Sequence, residues 1–174
     1  MSGIEEQPLR EFYAYWSRCR GTRAIPRRKD IDPVDIPHLL PSLMLLDVHP
    51  GQQEGDYRFW FRLVGTAICD IAGMDLTGHW LNELFYPGPY VSYLVGLNRE
   101  VVTLGRPTYS RTVLMLGGGI HRRTTSRVIC PLGEDPGRVT MIVACQVFDS
   151  RPTWTPMVEE EDYDFEETRH CLLA

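Results

Sequence analysis

LMLLDVHPGQQEGDYRFWFRLVG, residues 43–65, is the stretch whose reading decides the fold. Its first seven residues form a short apolar run, and PGQQEGD is a turn built from Pro and Gly. From Tyr57 the chain alternates. Tyr57, Phe59, Phe61 and Leu63 fall on one side of an extended backbone, and Arg58, Trp60 and Arg62 fall on the other. Period two with mixed faces predicts an antiparallel strand with one buried side, and Gly65 closes it.

Working outward, residues 8–20 (PLREFYAYWSRCR) read as a helix opening at Pro8. Leu9, Phe12, Tyr13 and Trp16 make one aromatic stripe, and Gly21 ends it. A Pro- and charge-rich connector follows, in which Asp32 caps a short turn opened by Pro33. Beyond Gly65, TAICDIAG and DLTGHWLNELF are short helical stretches. Pro87-Gly88-Pro89 separates them from a longer helix at residues 90–104, with Tyr90, Tyr93, Leu94, Leu97 and Val101 on one face. Three more strands are expected at 107–116, 121–132 and 138–148. Gly117-Gly118-Gly119 and the segment 133–137 are hairpin connections between them. Strands on both sides of a helical crossover predict an α+β fold: a five-stranded antiparallel sheet with short helices and one longer helix on one face, plus an N-terminal helix.

Composition bounds the function. The chain has 174 residues, 43% hydrophobic and 24% charged, enough for one packed domain and too apolar for wholesale disorder. The amino terminus carries acids where a secretory signal carries bases, which sets the expectation of a cytoplasmic protein. Five cysteines, without CxxC or zinc-type spacing, fit reduced thiols, and no metal site is expected. Seven acids lie in residues 159–167, and removing them turns the net charge of −5 into +2. Neither part has the basic excess of a nucleic-acid binder, so nucleic acid is not expected as a partner, and neither is a membrane.

The order of elements resembles the PAS fold, and the residues sharpen the likeness. RFWFRLVGTAICDIAGMDLTGHWLNELF is similar to the second strand and first helices of a bacterial PAS subfamily, through Gly65-Thr66 and the step from Gly73 to Gly78. Trp16, Arg20-Gly21, Pro26, Asp30, Pro33, Ile36 and Leu40-Pro41 fall where that subfamily's leader carries them. Pro131-Leu132 falls before its final turn. The resemblance covers residues 9–149. It implies a sensory or regulatory domain in signal transduction that binds a small ligand or a protein partner, and that is not itself an enzyme. The expected division is 1–42 N-terminal helix and connector, 43–149 PAS-like domain, and 150–174 acidic, flexible tail.

The resemblance also implies a pocket between the inner face of the sheet and the helices. Phe59, Phe61, Leu63, Trp80, Phe85, Tyr93 and Tyr109 are its candidate ligand-binding residues, beside Tyr57, although for any single one of them core packing is the commoner role. Such a pocket suits a small apolar or planar ligand. A cavity below about 300 Å3 would instead favour a protein-interaction adaptor whose pocket is filled by side chains. Haem is disfavoured, because the helix at 90–104 holds no histidine; His79 and His121 read as ordinary polar residues. Covalent flavin is disfavoured because ELFYPGPY lacks the reactive cysteine, which leaves non-covalent flavin open.

Two surfaces are candidate contacts. Arg111, His121, Arg123 and Arg127 alternate along strands and suggest either a solvated sheet face or a partner surface, with Arg123 and Arg127 at its centre. The acidic segment 159–167, anchored by Tyr163 and Phe165, could lie over that face. Phe12 and Trp16 could centre a homodimer interface or pack on their own sheet. As for catalysis, GxSxG, HExxH, a Walker loop and SxxK are all missing, and no catalytic residue is nominated. A small α+β cone enzyme, such as an isomerase or hydrolase, is the remaining alternative.

Overall fold

In the computed structural model, which describes residues 3–84, 88–116, 121–134, 138–149 and 163–174, the two segments of the opening quotation pair antiparallel. They are β1 (Leu43–Pro50) and β2 (Tyr57–Val64). α2 (Thr66–Ala72) and α3 (Gly88–Leu104) form the crossover. β3 (Thr108–Leu116), β4 (His121–Leu132) and β5 (Met141–Phe148) return to the sheet. The expected strand ends hold to within a few residues. DLTGHWLNELF is less regular than expected, with a single 3-10 turn, Leu81–Glu83, among its described residues.

Among the described residues the sheet has one strand more than the sequence suggests. Its order is β2-β1-β5-β4-β3-β6, antiparallel throughout, and β6 (Tyr163–Leu172) is the segment read as part of a flexible tail. The described part of the acidic segment, residues 163–167, extends the sheet edge beside β3 and does not lie across a sheet face. Residues 150–162 lie outside the described residues, as does most of both Gly hairpins.

Both faces of the sheet are covered, and this decides the site. α1 (Gln7–Arg20) lays Leu9, Phe12, Tyr13 and Trp16 on one face, against Tyr109, Val128, Cys130, Leu132, Val143 and Cys145. Trp16 has no exposed surface, and its indole N–H donates to the Pro131 carbonyl at 3.1 Å. Phe12 is equally enclosed. Of the two readings of the aromatic stripe, the structure takes the satellite core, so neither side chain offers surface to a second copy. Asp32 caps the turn Pro33–Asp35 as expected, accepting from the Val34 N–H at 2.9 Å.

On the opposite face α2, the 3-10 turn and α3 close over Leu46, Phe59, Phe61, Ile129, Ile142 and Ala144. Gly65 makes the corner possible. A Cβ there would sit 2.3 Å from the Pro41 carbonyl oxygen, while the Gly65 N–H donates to Leu43 at 2.7 Å. Gly73 ends α2 at φ 72°, where a side chain would be strained. Among the described residues no helix is long and apolar enough to cross a membrane.

Candidate functional site

β4 lies between β5 and β3, so its side chains can only go up or down into covered space. Ser126, Val128 and Cys130 face α1; Ser126 donates to Glu6 at 2.5 Å. Arg123, Thr125, Arg127 and Ile129 face α3 and line a cavity of about 90 Å3. α3 contributes Tyr90, Leu94 and Asn98, spaced four residues apart on one stripe. Met44 and Leu46 from β1, Phe61 from β2, Leu114 from β3, and Ala144, Gln146 and Phe148 from β5 complete the sheet side.

The polar wall is organised by Arg127, which is only 2% exposed. Its Nε donates to the Gln146 amide oxygen at 3.1 Å. Nη2 donates to the Tyr90 hydroxyl at 2.8 Å and, at 3.5 Å, to Thr112. Among the described residues, Nη1 is buried without a hydrogen-bond partner and Arg127 forms no ion pair. A guanidinium is always charged, and its acceptors here are neutral. Arg123, 6% exposed, shares the wall and lies over the Phe148 ring.

This corrects the reading of Arg123 and Arg127 as a solvated or partner-contacting face. That reading assumed one naked side of the sheet, whereas α1 and α3 occupy both. Arg111, one strand over, points the other way and pairs with Glu5. The sequence held a signal: an aromatic helix with nowhere else to bury itself must cover one sheet face, leaving only the interior for β4 arginines on the other.

Of the seven candidate ligand-binding residues, Phe61 lines the cavity. Phe59 lies behind it in the same core. Leu63 is 49% exposed, because the β1–β2 register skips Arg62 opposite Leu45 and Leu46 and reverses the alternation from there. Trp80 packs at the sheet edge against Trp60 and His49, with Arg58 4.1 Å over its ring. Tyr109 is buried on the α1 face, its hydroxyl donating to Glu6. Phe85 lies outside the described residues. Sequence reasoning missed Tyr90, Asn98 and Gln146 as cavity residues, because polar groups on apolar stripes look incidental until their partners are known.

Tyr93 stands at the junction with β6. It stacks on Tyr90 and meets the Phe165 ring at 5.2 Å, and its hydroxyl donates to Glu167 at 2.7 Å. Burial pushes its phenol well above the ordinary value, while the neighbouring Arg127 charge pulls the other way. Tyr163 and Phe165 therefore anchor β6, as expected of them, but on α3 rather than on a basic sheet face. Lower down, His170 bonds Glu100 at 2.7 Å.

Comparison with known proteins places this geometry. The model of a PAS domain family matches residues 4–93. No curated protein matches the chain. Solved structures of similar fold include VqmA bound to DPO, at 15% identity and TM-score 0.42, covering 51% of this chain and 46% of that one. A Vibrio cholerae VqmA dimer without target DNA gives 15% and 0.43, covering 52% and 41%. A Vibrio cholerae VqmA–ligand–DNA complex gives 14% and 0.49, covering 67% and 50%. The chain thus spans half or less of these proteins. The exclusion of nucleic acid drawn from net charge does not stand beside these structures, one of which is a VqmA–ligand–DNA complex of which this chain covers half.

Proposed function

Because this chain belongs to the PAS domain family, we propose that it is a sensory domain whose cavity between α3 and the sheet binds a small ligand. The single observation that carries this is Arg127: a buried cation with one nitrogen unpartnered, set in the wall of an otherwise mostly apolar cavity. An isolated buried charge costs several kcal/mol, so a pocket packed merely for stability has no use for one. Its spare donor is accounted for by a ligand acceptor.

Binding has a route outward. Tyr90 touches Arg127 with its hydroxyl and Phe165 with its ring, 5.3 Å between centroids. A ligand that moves Arg127 therefore shifts α3 against β6, and the C-terminal strand becomes the output element. Native mass spectrometry of the protein from its own host, compared with its denatured mass, is expected to show a non-covalent adduct. A bare native mass would remove the reading.

The cavity volume favours a second reading. At about 90 Å3 it falls below the ~300 Å3 at which drug-sized pockets begin, and by size alone the domain is an adaptor with a filled pocket. Ala144→Leu, which fills the cavity from β5, separates the two. An adaptor keeps its partner affinity in that variant, and a sensor loses its adduct.

A further inference from the structure

Resting on the sensory reading, we propose that the ligand is a small organic monocarboxylate, held head-first by the Arg127 guanidinium with its hydrocarbon part against Phe61, Leu94 and Leu114. Three observations converge on this. The described lining residues include no acid that could pair with Arg127 across the cavity. Each acceptor already bound to Arg127 is a neutral amide or hydroxyl oxygen, which leaves the charge uncompensated. The remaining nitrogen, Nη1, is buried and unbonded.

A carboxylate supplies both missing items, a negative charge and an acceptor lying in the guanidinium plane. The rest of the wall selects against a bare inorganic anion, because phosphate would set oxygens against hydrocarbon. Size sets the limit. A 150 Å3 apolar cavity holds benzene, so about 90 Å3 admits a ligand on the order of four heavy atoms, the size of acetate.

The test uses acetate, its uncharged isostere acetamide, and inorganic phosphate, titrated into the full chain and followed by the methyl resonances of Leu94, Leu114 and Ile129. Acetate is expected to shift these signals and to bind at least tenfold tighter than acetamide, with phosphate inert. In Arg127→Met the tenfold preference disappears, while near-ultraviolet circular dichroism reports whether the fold is kept. Arg127→Lys, which retains the charge without the planar fork, keeps part of the preference and covers the case in which the methionine variant misfolds. Acetamide binding as tightly as the acid, phosphate binding in its place, or an undiminished preference in Arg127→Met overturns the inference while the sensory reading stands. If no probe moves the methyls and the host protein carries no adduct, both fall.

Discussion

Tyr90→Phe removes one oxygen atom and nothing else from the site, which makes its consequence calculable. The ring remains stacked on Tyr93 and packed on Phe165, so the loss is confined to the hydrogen bond from Arg127 at 2.8 Å. The other contact of that nitrogen, to Thr112 at 3.5 Å, is too long to compensate. Hydrogen bonds to charged groups contribute about 1.5–3 kcal/mol, and a buried donor left without a partner costs at the upper end. For a chain of this length that is a fall in melting temperature of roughly 3–12 °C. The assay is urea unfolding of wild type, Tyr90→Phe, Arg127→Met and the double variant. With Arg127 absent the hydroxyl has no cation to serve, so Tyr90→Phe is expected to change stability there by less than about 0.5 kcal/mol, leaving a coupling of about 1.5–3 kcal/mol. An equal cost in both backgrounds would refute the claim that Tyr90 holds the buried guanidinium.

Three further outcomes follow from the packing. Trp16→Ala is expected to cost about 3–5 kcal/mol in denaturant unfolding, without changing the sedimentation coefficient of the folded protein; a cheap substitution that dissociates a dimer would return the α1 stripe to an interface role. Gly65→Ala forces a Cβ against the Pro41 and Leu40 carbonyls and is expected to cost about 1–3 kcal/mol by overpacking, read as a lower urea midpoint. At alkaline pH, burial raises the Tyr15 and Tyr109 phenols and the Cys145 thiol, each to about 12. These groups stay protonated in the fold after the unfolded chain has lost their protons. Stability is therefore unaffected below about pH 9 and falls as pH rises from there toward 12, by up to about 1.4 kcal/mol per pH unit for each group. A flat urea midpoint across that window would contradict their burial.

The limits of reading this chain as a sequence are visible in particular residues. Arg127 and Leu63 were each placed by alternation, which assigns a residue to one of two sides and does not say which side is wet. Leu63 fails for a second reason, since the skip at Arg62 exists only in the pairing with β1. β6 was invisible because Asp and Glu are depleted in strands and its acids read as a solvated tail. It forms because β3 offers an open edge and because Tyr163 and Phe165 find Tyr90 and Tyr93.

What the chain encodes locally, it encodes legibly. Period-two runs between glycines and prolines specify five strands, a 3.6-residue aromatic stripe specifies α1, and Gly65 marks the corner into the crossover. All of these depend on sterics and burial within a few residues. Only the tertiary structure decides that α1 takes one sheet face and α3 the other, that the last strand joins β3, and that a central-strand arginine is thereby enclosed. Those outcomes depend on contacts between segments far apart in the chain, and it is that enclosure that turns Arg127 from a surface charge into the organising residue of a cavity wall.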